Sequence, residues 1–177
     1  MKRCLYLMLG HPGSGKSYFA QRLAREIGAV RFNSDRMRHH LFNNSHEHHS
    51  RADHEHIINA INCAAISVLQ SGYSIIYDIN NNFVSDRKAY AALSKEYGAC
   101  TIIIWVKTPL EVATERGASR PLSQEHIRID STWIERVAAE LEAPSLDEPC
   151  IEIDGTLEFQ LQYNSFRNQL SKLKIAS

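Results

Sequence analysis

Cys4-Leu5-Tyr6-Leu7-Met8-Leu9-Gly10-His11-Pro12-Gly13-Ser14-Gly15-Lys16-Ser17 places an unbroken apolar run directly before a glycine-rich turn that ends in Lys-Ser. A short continuous apolar run suits a strand buried on both faces. The turn fits G-x-x-x-x-G-K-[ST] in full. Consecutive backbone N–H groups in such a loop converge on phosphate oxygens, helped by the positive end of the following helix. Lys16 brings a charge to the β and γ oxygens of a triphosphate, and the Ser17 hydroxyl is placed to ligate Mg²⁺. The alternative is a chance glycine-rich turn. The strand before it and the amphipathic helix after it, with Phe19, Leu23 and Ile27 at helical spacing, argue against chance. The expected nucleotide contacts are Gly10, His11, Pro12, Gly13, Ser14, Gly15, Lys16, Ser17 and Tyr18.

Outward from this motif, Gly28 stops the first helix and residues 30–33 read as a second strand. Ser34-Asp35 can cap a short helix through Arg38 to Phe42, and residues 43–50 read as a loop. Residues 54–70 make a helix with Ile57, Ile61, Ala64 and Val68 as its stripe, broadened by Ile58, Ala65 and Leu69. A third strand over 74–77 stops at Asp78, a helix spans 85–97 up to Gly98, and a fourth strand spans 100–106. Thr108-Pro109-Leu110-Glu111 carries capping-box spacing and a proline for a helix ending near Gly117. A helix over about 123–141, a strand over 150–153 and a helix over 157–173 complete the chain. Strands alternating with helices imply an open, mainly parallel sheet covered on both faces. Ligands in such sheets sit beyond the carboxyl ends of the strands, here residues 10–17, 33–38, 78–82, 107–108 and 154–156.

The chain has 177 residues, 44% hydrophobic and 23% charged, which fits one globular domain over residues 1–177 and argues against disorder. No apolar run approaches the length of a membrane span, and the short apolar start lacks a signal-peptide cleavage pattern, so a cytoplasmic protein is expected. Twenty Lys+Arg balance twenty Asp+Glu. That balance gives no general support for nucleic-acid binding, although a short strand or a small anion fits a local groove. The cluster Arg36, Arg38, His39, His40 and the looser pair Arg116, Arg120 are the basic sites that stand out. The four cysteines, at 4, 63, 100 and 150, have no Cys-x-x-Cys spacing and read as buried reduced thiols.

The strand ending Ile75-Ile76-Tyr77-Asp78-Ile79-Asn80 lacks the Asp-Glu of oligomeric AAA-type motors, and the Asn-Lys-x-Asp guanine reader of small GTPases is absent. The chain instead resembles the small ATP-dependent kinases grouped with bacteriophage polynucleotide 5′-hydroxyl kinase and zeta-toxin-like P-loop proteins. The likeness rests on the glycine-rich motif, on Asn33-Ser34-Asp35-Arg36-Met37-Arg38, on Asp78-Ile79-Asn80 followed by Arg87, and on Glu115-Arg116 with Ser119-Arg120. These occur in family order over most of residues 4–130.

The resemblance implies that Asp35 accepts the proton of an attacking hydroxyl. A carboxylate at a strand's carboxyl end suits that task, and a helix N-cap is the alternative. Arg38 matches the family's substrate-side arginine, with Arg36 beside it; a solvated helix face is the other reading. Asp78 would hold Mg²⁺ directly or through water, or else cap a turn. Asn80 would support substrate or the magnesium shell. Arg87 would reach back to Asp35 or substrate, unless it is a surface arginine. Arg116 and Arg120 match lid arginines that neutralise charge on the transferring group, against a basic helix edge. After Arg120 the chain departs from the polynucleotide kinase pattern, with Pro121-Leu122 in place of Gly.

Seven of the nine histidines lie at 39, 40, 46, 48, 49, 54 and 56. They read as a polar substrate-side flap; adventitious zinc ligation and pH sensing are the alternatives. Together these features predict a P-loop domain of the nucleotide-kinase type. It has a five-stranded parallel sheet of order 2-3-1-4-5, helices on both faces and a small helical lid at about 109–130. The expected catalytic residues are Asp35, Lys16, Arg120 and Arg116. Arg38, Asp78 and Asn80 face the substrate, and Ser17 and Asp78 serve the metal. ATP and Mg²⁺ are the expected cofactors. By analogy, the adenine is expected near residues 117–119 and 154–156. The partner is a hydroxyl-bearing acceptor, a small molecule or a nucleic-acid 5′ end, with no membrane and no obligate protein partner evident. A polynucleotide 5′-hydroxyl kinase and a nucleotide switch without an acceptor are the rival functions.

Overall fold

The computed structural model describes residues 3–42, 50–119 and 130–173. Among them, five strands form one parallel sheet in the order β2-β3-β1-β4-β5, as expected. The strands are β1 (Cys4–Leu9), β2 (Val30–Asn33), β3 (Ile75–Asp78), β4 (Cys100–Lys107) and β5 (Cys150–Asp154). The helices are α1 (Lys16–Ile27), α2 (Ser34–Leu41), α3 (Arg51–Gln70), α4 (Val84–Glu96), α5 (Leu110–Ser119), α6 (Ser131–Ala139) and α7 (Phe159–Leu170). None of the described helices is long and apolar enough to cross a membrane.

β1 is central, and all six of its residues are buried. Its side chains alternate between two cores, as strand geometry requires. Cys4, Tyr6 and Met8 join Phe19 and Leu23 of α1 and Phe166 of α7 on one face. Leu5, Leu7 and Leu9 join Ile57, Ile61 and Leu69 of α3 with Ile75 and Tyr77 on the other. A continuous apolar run is therefore the sequence form of a strand covered twice.

Several boundaries move for local reasons. Helix α3 starts at Arg51 because Ser50 and Asp53 form a reciprocal capping box. Its fully buried line is Ile57, Ile61, Ala65 and Leu69, while Ala64 and Val68 are only half-buried at its margin. Asn33 caps α2, its side chain accepting from the Arg36 N–H, so Ser34 and Asp35 lie inside the first turn. The Thr108 hydroxyl donates to the Ser14 carbonyl at 2.8 Å, which ties β4 to the glycine-rich loop. Helix α5 runs through the buried Gly117 to Ser119. Asp130 caps α6, which therefore opens at Ser131 and closes at Ala139. The expected start near residue 123 lies outside the described residues.

The cysteines depart from expectation. The β1–β4 register sets Cys4 opposite Cys100 with their Cα atoms 4.5 Å apart, and the two are joined in a disulfide. No spacing rule reveals a pair 96 residues apart. Cys63 is exposed, because it lies off the buried line of α3, and Cys150 is a half-buried free thiol.

Candidate active site

The glycine-rich loop is shaped by close packing at the carboxyl ends of β1, β4 and β5. Gly13 has φ 80°, and a side chain there would collide with the Ala113 backbone of α5. At Gly155 an added Cβ would strike the Ser14 carbonyl and the Thr108 hydroxyl. Loop, α5 and the β5–α7 turn are thus in backbone contact. The His11 ring lies between the Thr108 carbonyl, 3.0 Å from Nε2, and the Pro12 carbonyl, 3.1 Å from Nδ1. It cross-links the loop to the end of β4. Lys16 Nζ donates to the carbonyls of Gly10 at 2.6 Å and His11 at 2.9 Å, which sets its ammonium at the loop. Tyr18 is exposed, with the Arg22 guanidinium 3.7 Å from its ring centroid.

Asp78 closes β3, and residues from α1 and β2 meet on it. Ser17 Oγ donates to its Oδ1 at 3.2 Å. Its Oδ2 accepts from Arg31 Nε at 2.9 Å and Nη2 at 2.5 Å, and from Asn33 Nδ2 at 2.9 Å. The Asp78 and Arg31 side chains are 2% and 9% exposed. Ser17 and Asp78 together offer hydroxyl and carboxylate oxygens, the hard donor set that suits Mg²⁺. Asn33 also caps α2, so one amide links the Asp78 carboxylate to the helix that carries Asp35 and Arg38.

Asp35 does not cap α2. Its carboxylate is 56% exposed and accepts from Arg38 Nη1 at 2.6 Å. Arg38 Nη2 lies 3.5 Å from Nδ1 of His54 on α3. Partial burial, then Arg38, pulls the His54 pKa down, against the opposing pull of Asp35, Asp86 and Glu55. Arg36 is exposed on the same helix. Of the other histidines, His39 is buried, His40 and His56 are exposed, and positions 46, 48 and 49 lie outside the described residues.

Arg87 is neither a surface arginine nor a partner of Asp35. It is 1% exposed and grips Glu148 with Nε at 2.8 Å and Nη2 at 3.0 Å. It also donates to the carbonyls of Asn81, Glu142 and Ala143. Asn80 is exposed, its side chain accepting from the Asn82 N–H in a local turn. Its buried neighbours carry the contacts. Asn81 Nδ2 donates to the carbonyls of Met8, Tyr77 and Ile79, and Asn82 Oδ1 accepts from the Gly10 N–H at 3.5 Å. Arg116 Nη1 donates to the Gly155 carbonyl at 2.8 Å, which brings the end of α5 to the β5–α7 turn. Arg120 lies outside the described residues.

Sequence reasoning missed Arg31 and Glu148, and it placed Asn33, Asn81 and Asn82 in ligand-facing strand-end segments without giving them individual roles. One signal was present: Arg31 sits inside an apolar strand, and buried charges come paired. An open cavity of about 670 Å³ lies at the β4–β5 edge, bounded by Lys107, Thr108, Pro109, Glu152, Asp154 and Gln169 among others. None of the residues of the glycine-rich loop lines it.

The sequence pattern of the AAA domain family matches residues 5–144. The chain belongs to that family. No curated protein matches this AAA domain in sequence. Its fold is shared with an unliganded sugar kinase from Janibacter sp. HTCC2649 (18% identity, TM-score 0.70), with 97% of this chain and 95% of that chain covered. Chaetomium thermophilum Kti12 in complex with ADP-AlF3 is similar at 19% identity and TM-score 0.72, over 98% and 100% of the two chains. A chain of the Pnkp1/Rnl/Hen1 RNA repair complex is similar at 26% identity and TM-score 0.66; 79% of this chain matches 44% of that one. The domain is therefore a P-loop NTPase of kinase-like fold.

Proposed function

We propose that this domain moves the γ-phosphoryl group of ATP to a hydroxyl of an acceptor. The observation that carries the reading is the convergence on Asp78: Ser17 of the glycine-rich loop bonds one oxygen, and Asn33, the cap of the Asp35–Arg38 helix, bonds the other. Donor and acceptor sides of a transfer reaction are thereby locked to one carboxylate. Loop amides and Lys16 bind the polyphosphate and orient its terminal phosphorus. Mg²⁺, when held near Ser17 and Asp78, would neutralise charge on the β and γ oxygens. Asp35, exposed toward solvent, takes the proton of the acceptor hydroxyl as its oxygen bonds to phosphorus and the bond to the β-phosphate oxygen breaks. Arg38 steadies Asp35 and leaves guanidinium donors for an anionic acceptor. Arg116 holds the β5–α7 turn against α5, and we place the adenine there. A lid over residues 109–130 that carries Arg120 completes the proposed machinery.

γ-Labelled ATP offered with pooled metabolites and short oligonucleotides tests this reading. Label should move to one acceptor class, and Asp35→Asn should abolish transfer while ATP affinity persists. A second reading, a nucleotide switch without acceptor, draws on the similarity to Kti12 held with ADP-AlF3. It predicts slow hydrolysis that Asp35→Asn leaves unchanged.

A further inference from the structure

Phosphoryl transfer asks for a carboxylate near the metal, yet it does not ask for a guanidinium bound to that carboxylate. Here Arg31 puts two nitrogens on Asp78 Oδ2, the Asn33 amide adds a third donor, and the ion pair is almost wholly buried. Oδ2 is closed by these bonds. Oδ1 is turned to Ser17. A carboxylate already neutralised by a fixed cation attracts a divalent ion far less than a lone one does.

We infer that Arg31 is a positioning residue that makes metal retention depend on nucleotide: it aims Asp78 Oδ1 at Ser17 and cancels the carboxylate's charge. The divalent ion therefore enters and leaves with the polyphosphate, and the nucleotide-free protein does not collect it at Asp78. This inference rests on the assignment of Ser17 and Asp78 to the metal side of the proposed reaction.

The test is titration of nucleotide-free, full-length protein with Mn²⁺, followed by electron paramagnetic resonance. Arg31→Gln should bind Mn²⁺ about tenfold or more tightly than the native protein, and Arg31→Gln/Asp78→Asn should lose the gain. The double variant separates this site from any binding by the histidines. A merely structural ion pair would lower the melting temperature of Arg31→Gln without creating metal affinity. A folded Arg31→Gln with native Mn²⁺ affinity overturns the inference. Asp78→Asn alone should leave Mn²⁺ binding to the nucleotide-free protein unchanged, and a loss there overturns the inference even where Arg31→Gln does not fold. Titration with ADP and ATP is read separately. Absence of nucleotide binding sinks the phosphotransfer proposal, whereas the metal titration still decides the role of Arg31.

Discussion

Arg87→Met replaces a buried guanidinium with an apolar side chain of similar length. The change strips Glu148 of both guanidinium nitrogens, leaving it only the Ser145 N–H and hydroxyl, and leaves the carbonyls of Asn81, Glu142 and Ala143 without that donor. Breaking one side of a buried ion pair costs about 3–5 kcal/mol. Glu148 is 12% exposed, so water reaches one edge of it and the lower end applies, about 3 kcal/mol. For a domain of this size that is a fall in Tm of about 6–12 °C. Calorimetry or circular dichroism measures the fall. Arg87→Met/Glu148→Met should recover much of it, because no uncompensated charge remains. Nucleotide affinity, measured well below the melting transition, should change little, since Arg87 reaches the loop only through the segment that holds Asn81 and Asn82. A loss below about 1 kcal/mol refutes the assignment of Arg87 as a buried brace. So does a large loss of nucleotide affinity with an unchanged Tm.

Gly13→Ala should abolish nucleotide binding or unfold the loop, because φ 80° is strained for alanine and its Cβ would meet the Ala113 backbone; isothermal titration with near-native affinity would contradict the packing described. For Glu148, burial pulls the pKa up, but hydrogen bonds from Arg87 and Ser145 outweigh it and hold the carboxyl below its usual range. A depressed carboxylate stabilises the fold above its unfolded pKa, and that contribution vanishes as pH falls through the lowered folded value. The stability gap between the native chain and Arg87→Met should therefore be widest near neutral pH and narrow as Glu148 is protonated in acid, and a gap that stays constant down to the acid transition would refute this. Thiol labelling of unreduced protein should mark exposed Cys63 first. Cys150, whose thiol burial and Glu152 push up to about 11, should react slowly. Labelling of Cys4 or Cys100 in unfolded but unreduced chains would contradict the disulfide.

Much of the fold is legible because its signals are local. The apolar run before Gly10, the stop at Gly28 and the helical spacing of Phe19, Leu23 and Ile27 each depend on residues within a few turns of one another. The candidate site is legible where one motif holds its parts, as at Lys16 and Ser17. It is illegible where two distant segments must meet. Asp35 and Asn33 are both plausible caps by composition, and only the pairing of β2 with β3, which brings Asn33 beside Asp78, explains which one serves both helix and site.

By itself, then, the chain's order of residues determined the phosphate cradle, the parallel sheet and the positions of its strand ends, because backbone geometry and hydrophobic period are short-range properties. Tertiary structure alone decided the partners of its buried arginines. A guanidinium on a long side chain takes whichever carboxylate the packing brings within reach. Arg87 went to Glu148 and Arg31 to Asp78, whereas Arg38 meets Asp35 one turn away on its own helix. Register likewise joined Cys4 to Cys100, since sulfurs 96 residues apart meet only when two strands are laid side by side.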